Sequence, residues 1–193
     1  MSRSAEIERK TRETAVSVRL TVDGSGESSA ETGIPFFDHM LEQLGKHAGW
    51  DLEIRAEGDL EVDAHHTVED VGLSLGQALR RALGDKTGIR RFGSASVPLD
   101  EALVEVALDL SARPFVVHEV PVPAEAVGTY DPGLTHDFVQ AFATEAGMTI
   151  HARLVSGRSP HHVVEAEFKA MAVALREACR VLGGGTPSTK GTL

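Results

Sequence analysis

The chain has a single cysteine, Cys179, among 193 residues. No disulfide can therefore close within it, and this cysteine usage suits a reducing cytoplasm. Cys179 lies in an Ala-, Leu-, Val- and Arg-rich stretch and reads as a buried structural thiol. Basic residues are also scarce: 19 Lys and Arg stand against 29 Asp and Glu, for a formal charge of −10 and a pI near 5.3. A phosphate backbone is gripped by many clustered cations, so a nucleic-acid partner is excluded, and any anionic ligand must meet a local basic pocket. Long apolar runs are missing too. No segment approaches the ~20 apolar residues of a membrane span, and residues 1–15 have no apolar signal core. The expectation is a cytoplasmic chain with no membrane partner.

Hydrophobic residues nevertheless make up 41% of the sequence, enough for a substantial core. Val16, Val18, Leu20 and Val22 alternate with polar residues, which predicts a half-buried strand over residues 15–23, followed by a turn at Asp23–Gly26. Gly33-Ile34-Pro35 opens a helix from Phe36 to His47, closed by Gly49, and Trp50, Leu52 and Ile54 mark a further strand. A helix is expected from Thr67 to Leu83. Residues 102–110 and 115–120 then read as strands, 136–145 as a helix, 148–155 as a strand and 163–182 as a helix. This order repeats. Ala48-Gly49 and Ala146-Gly147 are 98 positions apart, as are Arg55 and Arg153, while the two His-His-x-x-Glu motifs, at 65–69 and 161–165, are 96 apart. An ordered series of this kind points to internal duplication. The expected fold is α+β in two similar halves, residues 1–90 and 91–193, packed as one unit. Each half is a small, mostly antiparallel sheet covered on one face by helices.

Positions i, i+3 and i+4 share a helix face, so Glu69 can join His65 or His66, and Glu165 can join His161 or His162. Adjacent histidines diverge by roughly 100° and so suit two separate ions better than one. The helix before each motif offers one more ligand. His39 plus 98 is Asp137, and Asp38 plus 98 is His136, so the order is exchanged between the halves. Both residue types bind borderline divalent ions. Asp137 is the expected ligand, with His136 as the alternative. The candidate metal set is His39, His65, His66, Glu69, Asp137, His161, His162 and Glu165. The His-Glu-x-x-His pattern of zinc hydrolases is absent. Arg91, Arg113 and Lys169, with Ser188 and Lys190 in the Pro-Ser-Thr-Lys-Gly tail, are equipped to hold an anion. His47 shares a helix face with His39 and either lines the pocket or simply closes its helix. A phosphoesterase using two metals and a non-catalytic metal-binding protein both remain compatible with these residues.

Taken in order, these stretches resemble the imidazoleglycerol-phosphate dehydratase family of histidine biosynthesis. The matching segments are Arg9-x-Thr11-x-Glu13-Thr14, Gly33 to Leu41, Asp63 to Asp70, Asp109 to Pro114, His161-His162-x-x-Glu165 to Ala170, and Pro187 to Gly191. The resemblance implies two Mn2+ per active site, a phosphorylated imidazole as substrate, and a homo-oligomer of 24 subunits with sites shared between them. It assigns the substrate phosphate to Arg91, Arg113, Lys169, Ser188 and Lys190 and brings Glu13 into the pocket. Glu13 and His47 become the candidate acid/base pair. The family commonly has histidine where this chain has Asp137.

Overall fold

A computed structural model of the chain describes residues 3–191. Its elements run β1 (Ser4–Lys10), β2 (Thr14–Thr21), β3 (Ser28–Glu31), α1 (Pro35–Ala48), β4 (Asp51–Gly58), α2 (His65–Leu83), β5 (Phe92–Leu99), β6 (Ala102–Asp109), β7 (Phe115–Glu119), α3 (Leu134–Ala146), β8 (Thr149–Ser156) and α4 (Pro160–Cys179). They form two four-stranded sheets, ordered β1-β2-β4-β3 and β5-β6-β8-β7. In each sheet the first two pairings are antiparallel and the last is parallel. The two halves are thus the same permutation of strands, and the duplication inferred from spacing is present in the backbone.

The central strands carry the alternation that makes them legible. Val16, Val18 and Leu20 on β2, Leu52 and Ile54 on β4, Val104, Val106 and Leu108 on β6, and Ile150 and Ala152 on β8 are all buried. Their opposite faces are mostly polar, with Leu103, Ala107 and Val155 among the exceptions. Arg55 and Arg153, matched in the repeat, do the same job on those outer faces: each reaches a glutamate on the neighbouring parallel edge strand, Glu31 at 3.7 Å and Glu119 at 3.1 Å. Strands β1, β3 and β5 were not anticipated, and all three are edges. An edge strand with one dry contact needs few apolar residues. Ile7 is the only fully buried residue of β1, β3 is Ser-Ser-Ala-Glu, and β5 contains Gly93 and Pro98.

Helix ends also differ from the sequence reading. Helix α2 begins at His65, two residues early, so both motif histidines lie in its first turn. Helix α4 begins at Pro160 with Ser159 as its cap and stops at Cys179, because Arg180 is extended and Val181 pairs with Ile89. The α1 boundaries follow expectation, with Pro35 in the first turn and Gly49 left-handed at the C-cap.

The helices lie between the sheets. Helices α1 and α2 cover the first sheet and α3 and α4 the second, but the close pairings cross the halves, α2 against α3 and α1 against α4. One continuous core results, with Phe37, Phe138, Phe142 and Phe168 buried at its centre. The α2–α3 crossing is tight because α2 presents glycine. A Cβ at Gly72 would meet the Phe138 carbonyl at 2.9 Å, and one at Gly76 the Phe142 carbonyl at 2.6 Å and the Ala146 nitrogen at 2.9 Å. Backbone cannot yield as a side chain does. Gly76→Ala should therefore lose about 1–3 kcal/mol of stability to overpacking, despite the roughly 1 kcal/mol that alanine's helix propensity returns. Urea denaturation checks this, and an unchanged or raised midpoint would contradict it.

Candidate active site

Crossed packing decides which motif residues meet. In one cluster His39 of α1 and His161 of α4 both direct Nε2 at Glu165 Oε2, at 3.8 and 3.1 Å. In the other, Glu69 Oε2 lies 3.8 Å from His65 Nε2, and Asp137 of α3 lies 3.5 Å from His65 Nδ1. Each cluster thus takes residues from both halves. Asp137, and not His136, faces the first motif. His136 is exposed and packs edge-on to His118, 5.1 Å between centroids, and His118 is tied to Glu167 at 2.8 Å. Asp38 has a separate task, accepting from the Thr32 amide and hydroxyl at 2.8 and 2.6 Å.

The second histidine of each motif turns away from the first, the ring planes lying 76° and 84° apart. His66 Nδ1 faces both Asp59 oxygens at 3.1 and 3.2 Å, and His162 Nδ1 faces Glu101 at 2.7 Å. These partners raise both histidines' pKa values, and the bond to His162 holds the Glu101 carboxyl at about 2. On the Nε2 side stand Glu13, 3.9 Å from His66, and Asp100, 3.8 Å from His162. Asp59, Asp100 and Glu101 were missed in the sequence, although one signal was available: Glu13 plus 88 is Glu101, the same interval that separates the starts of β2 and β6.

Glu13 owes its position to its motif. Thr11 Oγ1 accepts from the amides of Glu13 and Thr14 at 3.1 and 3.0 Å. Asp70, directly after Glu69, accepts from Arg9 Nε at 2.9 Å and closely from the Thr14 hydroxyl, locking the loop onto α2. His47 belongs with the His39 cluster. Burial and the charge of Lys169 lower its pKa, and Gln43 Oε1 accepts from its Nε2 at 3.0 Å. Lys169 bonds Glu165 Oε1 at 2.6 Å. Burial opposes the Glu165 charge, but this ammonium outweighs it and keeps the carboxyl below its usual range.

The remaining basic candidates are elsewhere. Arg91 bonds Asp109 at 2.6 and 3.0 Å and the Pro187 carbonyl at 2.8 Å, so it ties the Ser188–Lys190 segment to the end of β6. Arg113 approaches the same aspartate at 3.8 Å. The Arg91 amide donates to the Ala178 carbonyl, thirteen residues along α4 from Glu165, or about 20 Å at 1.5 Å per residue. Of these basic candidates, among the described residues of one chain, only Lys169 stands beside the metal motif, because α4 holds the two groups at opposite ends. Arg91, Asp100 and Ala112 take left-handed backbone, a local strain of the kind that concentrates at functional sites.

Neighbouring ligands of an octahedral divalent ion, each at about 2.1 Å, stand about 3 Å apart, and the 3.1–3.8 Å separations around Glu165 fit that requirement. Imidazole with carboxylate is a donor set suited to manganese, iron or zinc. Among the described residues of one chain, however, no three such groups converge tightly enough to hold an ion alone. The candidate residues are also open, with His65 43% and His161 48% exposed.

These features define a class, the duplicated α+β proteins whose polar site is gathered from the first turns of helices in both halves. The model of the imidazoleglycerol-phosphate dehydratase family matches residues 32–175. Named relatives include imidazoleglycerol-phosphate dehydratases of Parafrankia sp., 56% identical with both chains fully covered, and of Acidothermus cellulolyticus, 57% identical over 99% of this chain and 93% of that one. Among solved structures, the Staphylococcus aureus imidazoleglycerol-phosphate dehydratase aligns at TM-score 0.84 and 34% identity, covering 92% of this chain and 99% of that one. The Pyrococcus furiosus IGPD in complex with (S)-C348 aligns at 0.85 and 37%, covering 97% and 100%. The chain belongs to the imidazoleglycerol-phosphate dehydratase family.

The Asp70 anchor makes a local prediction. Asp70→Ala leaves Arg9 and the buried Thr14 hydroxyl without their acceptor, which should cost about 1.5–3 kcal/mol and release the loop that carries Glu13. Hydrogen exchange at the Glu13 and Thr14 amides should quicken by at least tenfold while α4 amides keep their protection. Unchanged exchange at both amides would show that the loop is held by something else.

Proposed function

We propose that this chain eliminates water from imidazoleglycerol phosphate, giving imidazoleacetol phosphate in histidine biosynthesis, at sites that hold two Mn2+ and are completed between copies of the chain in the cytoplasm. The observation that carries this reading is the separation along α4. The His161–Glu165 cluster sits at one end and the Arg91, Arg113 and Ser188–Lys190 group at the other, about 20 Å apart, so a small phosphorylated substrate touches both only if a second copy brings its basic end to the first copy's histidines. A closed homo-oligomer satisfies this, and 24 subunits is the number the family resemblance implies. His39, His161 and Glu165 would hold one ion and His65, Glu69 and Asp137 the other, with His66 and His162 offered outward to ions on neighbouring copies.

Dehydration must expel a hydroxyl beside an imidazole ring and remove a weakly acidic C–H proton. Bound ions supply Lewis acidity toward the ring nitrogens. The chain's own groups supply the rest. With its Nε2 proton on Gln43, His47 keeps Nδ1 free as a base, and its lowered pKa keeps it neutral near pH 7. The Glu13 carboxylate, locked beside His66, is the second acid/base group. Arg91, Arg113, Lys169, Ser188 and Lys190 fix the phosphate, so binding energy far from the ring orients the carbon that loses its proton.

Two experiments test this. Chelator-treated protein should lose conversion of imidazoleglycerol phosphate and regain it with Mn2+, and full activity without metal would defeat the proposal. Glu13→Gln should reduce turnover at least a hundredfold with metal content unchanged, and near-normal turnover would remove Glu13 from the mechanism.

A further inference from the structure

We propose that Asp59 and Glu101 are positioning residues that each hold the second histidine of a motif by its Nδ1, so that Nε2 faces outward as a ligand. The inference rests on the two-ion reading above. Two motifs of one duplication meet the same arrangement, a carboxylate against Nδ1 with a second carboxylate farther off on the Nε2 side. Simple inheritance from the duplication does not account for the match. Asp59 follows β4, and its counterpart by the 98-residue offset is Gly157, whereas Glu101 comes from the β5–β6 turn and its counterpart by the 88-residue offset is Glu13. Different chain positions supply the same carboxylate to the same ring atom.

The chemistry of a ligating imidazole gives the reason. Its second nitrogen carries the proton, and a carboxylate that accepts that proton's hydrogen bond fixes the tautomer, fixes the ring plane and makes the ligating nitrogen more basic. His65 and His161 direct Nε2 at the glutamate of their own helix. His66 and His162 have no such neighbour on α2 or α4 and lie 35% and 33% exposed. Without Asp59 and Glu101 these rings would be free to rotate. The two carboxylates are built differently. Asp59 gives both oxygens to His66, while Glu101 divides its own, Oε2 to His162 and Oε1 to the amides of Ser159 and Arg158 at 2.9 and 3.4 Å. Glu101 therefore also fixes the start of α4. Replacement by glutamine retains an oxygen for those amides, so Glu101→Gln separates the two tasks.

Mn2+ titration of the full assembled chain, followed by the electron paramagnetic resonance signal of free Mn2+, tests the assignment. Because His66 and His162 serve different ions, Asp59→Asn and Glu101→Gln should each weaken one Mn2+ per chain by about 10- to 100-fold and leave the other at wild-type affinity, and the double variant should weaken both. Asp59→Glu should restore part of the loss. Glu119→Gln, on the outer sheet face, should match the wild type. If either variant binds both ions as tightly as the wild type, its residue does not position a ligand. Equal weakening of both ions by one single variant would also overturn the proposal, since a general loosening of the fold acts on both. Should Asp59→Asn fail to assemble, Glu101→Gln decides by the same criteria. A wild-type chain that takes up no Mn2+ overturns the two-ion reading underneath, a result distinct from the others.

Discussion

The structure depends on two helix crossings. Helix α1 packs on α4 and α2 on α3, each pair joining the two halves, and every candidate ligand lies near the start of one of these four helices. The α2–α3 approach is set by Gly72 and Gly76 against the backbone of α3, and the aromatic core at Phe138 lies behind it. The rest follows from this packing. It turns a motif that reads as a self-contained unit in sequence into half of a cluster, with His39 answering Glu165 and Asp137 answering His65. Neither half alone brings an imidazole from one helix against a carboxylate of another. The duplication is therefore structural and chemical at once, since each copy supplies what the other lacks.

Charge balance within the site follows from the same geometry. Glu165 is 8% exposed and sits between Lys169 and two imidazoles, so its ionised form is held from several sides. Lys169 also raises the cost of protonating His47. One ammonium thus lowers the pKa of a carboxylate and adds to the burial that lowers the pKa of a nearby histidine. Among the described residues the Asp137 cluster has no matching lysine within its contacts, and it carries two carboxylates, so the two clusters are chemically unequal despite their shared origin.

Much of this was legible in the sequence for physical reasons that can be stated. Central strands alternate because one face must be dry, and α1 announces itself through Pro35 and Gly49. Repeat arithmetic favours Asp137 with His136 as the alternative, and in the structure Asp137 lies 3.5 Å from His65 while His136 packs against His118. Three of the four edge strands were silent, since a strand such as Ser28–Glu31 needs almost no apolar residue to pair along one side. Asp59 was silent for a different reason, since a carboxylate in a turn has no periodicity and meets His66 only after folding, and Glu101 carried no signal beyond its 88-residue match to Glu13. Spacing along α4 places Lys169 beside Glu165, whereas Arg91, which lies outside α4, is bound near the far end of that helix. The motif lists candidate groups, and only the packed chain separates those that meet within one copy from those that do not.

That last distinction carries the central proposal, that a single chain holds two incomplete half-sites and that a complete site needs neighbouring copies. Counting manganese per chain in the assembled protein and in chains dissociated to monomers tests it most directly. The account predicts two ions per chain in the assembly and none retained by folded monomers. Two ions held by the isolated folded chain would contradict it.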